Sequence, residues 1–178
     1  MFKMKKIVCL LVAVACVFTT FSKTKHSDSV ITKDGDIPTE VRMAVDAANE
    51  IAPAKTWDGQ YLKSLRLDEG KRIVVFYIKN VGGNASKLNE LNEQEKIKEA
   101  IFFVANFMTA YDYSVEGTDG EGDEELFKKL GPLLKKLARN DFGVRFDLEF
   151  RKGGSCSLAL SPIELERAVL LRKSDLWD

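Results

Sequence analysis

The sequence predicts an α+β domain, a four-stranded antiparallel sheet made of two β-hairpins with helices packed mainly on one face. Three observations predict it. Two pairs of strand-like runs each double back at a short turn, around Asp68-Glu69-Gly70 and around Lys152-Gly153-Gly154-Ser155. Segments with apolar residues at helical spacing lie before, between and after those pairs. Hairpins separated by helices make an α+β layer architecture rather than an alternating parallel one.

The elements follow in order. Asp36 as cap and Pro38 in the first turn open a helix that runs to about Ile51. Val41, Ala44, Val45, Ala48, Ile51 and Ala52 form its apolar stripe, and Pro53 stops it. The stripe is poor in large side chains, so this helix covers a core rather than forming its centre. Residues 57–67 and 71–79 are the arms of the first hairpin. The second arm, Ile73 to Ile78, is apolar on both faces and belongs inside a sheet. Asn92 with Glu95 three residues on is a capping box for the next helix. Its stripe of Ile97, Ile101, Val104, Met108 and Tyr111 is widened by Phe102, Phe103 and Phe107, which makes it the most buried helix expected.

Residues 114–125 hold six acids and three glycines and read as a solvated acidic loop. Asp119, Glu121 and Asp123 alternate as calcium ligands do, but Glu124 stands where such a loop needs glycine and Leu130 where it needs glutamate. Leu126, Leu130, Leu133, Leu134 and Leu137 mark the following helix, with Lys128, Lys129, Lys135 and Lys136 on its solvated side. Gly131-Pro132 is expected to break or kink it. Val144, Phe146, Leu148 and Phe150 alternate with Arg145, Asp147, Glu149 and Arg151, giving a strand with one buried and one wet face. Cys156, Leu158 and Leu160 continue the apolar face, and Ser161-Pro162-Ile163-Glu164 caps a short final helix.

The chain has 178 residues, with 27 basic and 27 acidic side chains, 45% hydrophobic residues, 12 glycines and 4 prolines. Those proportions exclude collagen-like, low-complexity and largely disordered classes. A net charge of zero removes the main electrostatic argument for nucleic-acid binding. Lys3, Lys5 and Lys6 precede an apolar run from Ile7 to Phe18 and then small residues, the three parts of a bacterial export signal over residues 1–22. The run is shorter than the roughly 20 residues that span a bilayer. Ala13-Val14-Ala15-Cys16 resembles a lipobox with Ala13 at the usual leucine position, which makes Cys16 the lipidation candidate; plain cleavage after Ser22 is the alternative. Residues 23–35 are a polar tether, and 36–178 form the domain. Losing the leader removes three lysines, so 24 cations face 27 acids, a net charge of −3.

His26, the single histidine, lies in the tether, and Cys156 is the single cysteine of the domain. Ser-His-Asp and Cys-His chemistry, a structural zinc and an internal disulfide therefore have no residues to use. Gly82-Gly83 and Gly153-Gly154 belong to no phosphate-binding motif. Asn84-Ala85-Ser86 matches a glycosylation acceptor, which a bacterial leader discounts. No catalytic residue, cofactor or metal ligand is assigned. Trp57 and Asp58, followed by Gly59, are the recognition candidates, combining a large aromatic with an acid where the first hairpin begins.

The pattern resembles a loose set of small exported proteins of Bacteroidetes-type bacteria, many of them lipoproteins. Asn49 and Pro53 at the first helix end, Asp58 before the first hairpin, Tyr77 in its second arm and Gly143 opening the last hairpin carry the resemblance, over residues 40–161. Members often carry a cysteine in the helix before the last hairpin, and this chain has none there. The resemblance implies a fold and a compartment, and no activity. The expected function is a non-catalytic envelope protein that binds a protein partner, with membrane contact only through a lipid anchor; the alternative is a small envelope hydrolase using paired carboxylates.

Overall fold

The computed structural model describes residues 37–117 and 122–171. The leader, Cys16, the tether and His26 lie outside the described residues, as does the expected cap Asp36. Helix α1 (Thr39–Asn49) is followed by strands β1 (Ala54–Lys55), β2 (Tyr61–Asp68) and β3 (Ile73–Val81), then helices α2 (Ala85–Asn89), α3 (Glu93–Glu116) and α4 (Glu124–Arg139), strands β4 (Gly143–Phe150) and β5 (Ser155–Leu160), and helix α5 (Pro162–Ala168).

The expected four-stranded antiparallel sheet is corrected in two respects. Among the described residues the sheet has five strands in the order β1-β2-β3-β4-β5, and the two hairpins meet through a parallel β3–β4 pair, Phe76 opposite Phe146. Alternation dictates which side of a strand is buried, but it is silent on the direction of the neighbour. That direction is set by residues 82–142, the long connection between the two central strands, and a parallel pair requires such a crossover. The added strand β1 is two residues long and pairs Ala54 with Leu62. It is too short to leave a period-2 signal.

Strand β3 lies at the centre of the sheet with Val74, Val75, Phe76 and Ile78 all buried, in keeping with its two apolar faces. Leu62, Leu65, Phe76, Ile78, Phe146, Leu148 and Leu158 join Val41, Val45, Phe107, Met108, Leu130, Leu134 and Leu137 from the helices in one core. Helix α3 is buried all round from Phe103 to Met108, because the sheet lies on one side and other helices lie against the rest. Its capping box is complete: Asn92 accepts from the Glu95 amide and Glu95 from the Asn92 amide, each at 3.0 Å. Glu164 and Ser161 close the same box on α5.

Three features of the helical layer differ from expectation. Ser114 to Glu116 are the last turn of α3 rather than loop, and α4 resumes at Glu124 behind the Asp123 cap. Helix α4 is also continuous through Pro132. Gly131 explains the site: a Cβ there would stand 2.2 Å from Cγ of Tyr111, so the bare backbone lets the Tyr111 ring lie on the helix. Helix α2 was unforeseen and is capped by Asn84, which accepts from the Ser86 amide at 2.9 Å.

Candidate functional site

The alternation that buries one set of strand side chains sends the other set to the opposite face of the sheet. Among the described residues that face stays open. Cross-strand register arranges it in rows. Ser64, Tyr77, Asp147 and Ser157 form one, and Arg66, Val75, Arg145 and Ala159 form the next. Lys79 stands opposite Tyr61, with Glu149 on the other flank. A register shift between Leu62 and Ser64 inserts Lys63 as an extra residue in β2. Such a bulge breaks the strict alternation and re-aims a side chain, and here Lys63 reaches the open face while Leu62 and Leu65 both stay in the core.

Short contacts hold the face in shape. Arg145 Nη2 donates to Asp147 Oδ2 at 3.0 Å, and its Nε lies 3.0 Å from Oδ1 in a Coulombic contact rather than an aligned hydrogen bond. Ser157 Oγ donates to the same Oδ1 at 2.7 Å. Lys79 Nζ lies 3.0 Å from Glu149 Oε2. The Arg66 guanidinium stands 6.0 Å from the Tyr77 ring centre, the outer limit of a cation–π contact. Val75 lies between Arg66 and Arg145 in its row and is only 1% exposed although it belongs to the open face. Arginine stems cover apolar surface while their charged heads stay in water, and Val75 has one on each side in its row.

Two shallow depressions adjoin on this face and share Lys63, Lys79 and Glu149. One, of about 450 Å³, reaches Pro53, Tyr61 and Arg151. The other, of about 390 Å³, reaches Tyr77, Asp147 and Ser157. The groups that line them are hydrogen-bond donors, acceptors and charges on rigid strands. They suit the recognition of a polar surface better than the engulfing of an apolar small molecule.

The recognition candidates Trp57 and Asp58 part company. Trp57 packs into the core layer, its ring centre 4.6 Å from that of Phe107 in an edge contact and 6.2 Å from that of Phe103. Asp58 is exposed, with φ of 53°, at the end of the sheet. Its carbonyl accepts from the Arg151 guanidinium, whose Nε donates to the Asn80 carbonyl at 3.0 Å. Arg151 thereby ties β4 to β3 and to the turn before β2. Cys156 faces the core at 5% exposure; burial pushes its thiol pKa up, and Lys96 offsets this in part. Among the described residues no group of three or more His, Cys, Asp or Glu is placed to hold a metal ion, and no helix is long and apolar enough to cross a membrane.

Sequence pattern alone does not mark Lys63, Arg66 and Lys79 as a set with Tyr77, which stands out there only among the residues that carry the resemblance. The signal was present in Leu62-Lys63-Ser64-Leu65, where alternation skips a beat between two core leucines. Comparison with family models, curated proteins and solved structures finds no match for this chain.

Proposed function

We propose that the chain is an exported, non-catalytic binding module that meets a protein partner of the cell envelope through the open face of its sheet. The observation that carries the reading is the convergence of polar side chains from β2, β3, β4 and β5 on one face that no other described residue covers, opposite the packed core. Polar groups fixed by ion pairs lose little freedom on docking, and this preorganisation lowers the cost of association. Scale supports the same reading. The four longer strands, six to nine residues each, at about 4.8 Å spacing and about 3.3 Å per residue offer roughly 19 by 20–30 Å. A standard protein interface buries about 800 Å² of accessible surface per partner, which a pleated face of that footprint approaches. The export signal and tether support the compartment, and a lipid at Cys16 would hold the domain near a membrane.

The test is crosslinked capture from envelope extract. Wild-type protein and a K128A/K129A variant on the solvated side of α4 are expected to recover the same partner, and an S64R/S157R variant on the open face is expected to lose it. Equal recovery by all three, or recovery of nothing, would contradict the reading. Fatty-acid labelling that disappears in Cys16→Ser would establish the anchor, and labelling unchanged by that substitution would remove it.

One observation favours the second reading, a carboxylate hydrolase: Asp147 and Glu149 line the same depression. A general acid of such a pair is kept protonated by apolar burial or by a neighbouring acid. Asp147 has a guanidinium and a hydroxyl against it instead, and Glu149 an ammonium. Those neighbours make the binding module the better reading.

A further inference from the structure

We propose that the segment recognised on the open face is acidic and extended, and that Lys63 and Arg66 select it. The inference rests on the docking reading above and names the chemistry of the occupant. The chain as a whole carries equal numbers of acids and bases. The open face does not: Lys63, Arg66, Lys79 and Arg145 stand there against Asp147 and Glu149, with Asp68 in the last row, where its carboxylate accepts from the Lys71 amide.

Asp147 and Glu149 are already engaged, Asp147 by Arg145 and Ser157 and Glu149 by Lys79. Taking those pairs away leaves Lys63 and Arg66, neither of which has a carboxylate partner among the described residues. Both are exposed and both stand on β2. The bulge sets Lys63 beside both depressions, and three residues of a bulged strand separate it from Arg66 by roughly 7–10 Å. Acidic side chains at alternate positions of an extended chain fall at about 7 Å and match that spacing. The rest of the face is neutral and small toward β5, at Ser155, Ser157 and Ala159, where the segment can continue without meeting charge.

The mixed pattern separates a peptide from the other polyanions. A membrane surface or a phosphate backbone presents negative charge everywhere and would meet Asp147 and Glu149 as well as the cations. A peptide can set acids over Lys63 and Arg66 and hydroxyl or amide groups over the engaged pairs. Complementary charge of this kind governs specificity and rate of encounter more than total affinity.

The test is fluorescence anisotropy at 50 and 200 mM NaCl with a labelled (Glu-Ser)6 peptide, its (Lys-Ser)6 counterpart and phosphatidylglycerol vesicles, on mature protein. The expected result is that (Glu-Ser)6 binds in preference to the other two, weakens with salt, and loses about tenfold in K63E/R66E. K128E/K129E, which has the same net charge, should stay within about twofold of wild type. Thermal melts of each variant show that it is folded, and K63Q/R66Q gives the loss without added repulsion. Binding unchanged in the β2 variants, preference for the lysine peptide or the vesicles, or no binding of (Glu-Ser)6 overturns the proposal. Partner capture separates the two levels. Loss in S64R/S157R with full retention in K63E/R66E overturns the acidic selection and keeps the docking face, whereas retention in both overturns the docking face itself.

Discussion

Asn49, the last residue of α1, does the work of a missing strand. Strand β1 covers β2 only opposite Tyr61 and Leu62, so the backbone at Leu65 would lack a partner. Asn49 Oδ1 accepts from the Leu65 amide at 2.7 Å and its Nδ2 donates to the Leu65 carbonyl at 2.9 Å. We expect Asn49→Ala to cost about 1–3 kcal/mol, since both half-buried backbone groups lose their partners; urea unfolding of wild type and variant measures it. Gly131 and Gly143 are required for close approach. A Cβ would meet Tyr111 at 2.2 Å in one case and the Leu160 carbonyl oxygen at 2.6 Å in the other. Gly131→Ala should destabilise by up to about 2 kcal/mol on thermal melting, because overpacking costs roughly 1–3 kcal/mol against a helix-propensity gain of about 1. Cys156 gives a pH dependence. Its folded thiol holds its proton to higher pH than the unfolded one, so its contribution is fully present below the ordinary thiol range and declines as pH rises through it. Urea melts in the alkaline range should show that decline, and it should be absent in Cys156→Ala. The importance of Asn49 and Gly143 was legible only as pattern, because the atoms they meet lie far away in the chain.

At the scale of elements, local signals were the readable ones. The boxes at Asn92 and Ser161 each involve residues three apart, and both helices begin where those residues stand. Ser161→Ala should lower stability by about 0.5–2 kcal/mol and fray α5, which circular dichroism and urea unfolding would register. The alternation of β4 and β5 was equally readable, because a strand with one wet face writes its orientation into every second residue. What could not be read was set by partners distant in sequence. The parallel β3–β4 pair depends on the course of residues 82–142, and β1 depends on β2 being in place. The helix at Pro132 survives a residue that should interrupt it, inside a helix whose Leu126, Leu130, Leu133, Leu134 and Leu137 are fully buried. Packing of that apolar face, more than propensity, sustains most helices in folded proteins.

Among the described residues, helices lie on one face of the sheet and the other face is polar and open. The division of labour between faces was half legible. The wet side of β4 stood in the sequence, but the bulge at Lys63 and the rows that join four strands needed the fold. One measurement tests the central claim directly: photocrosslinking in the native cell from a benzophenone side chain placed at position 64 or 157 on the open face, or at position 128 on the helical side. One discrete adduct is expected from positions 64 and 157, shared between them, and none from 128. An adduct from 128 alone, or the same adduct from all three positions, would contradict that claim.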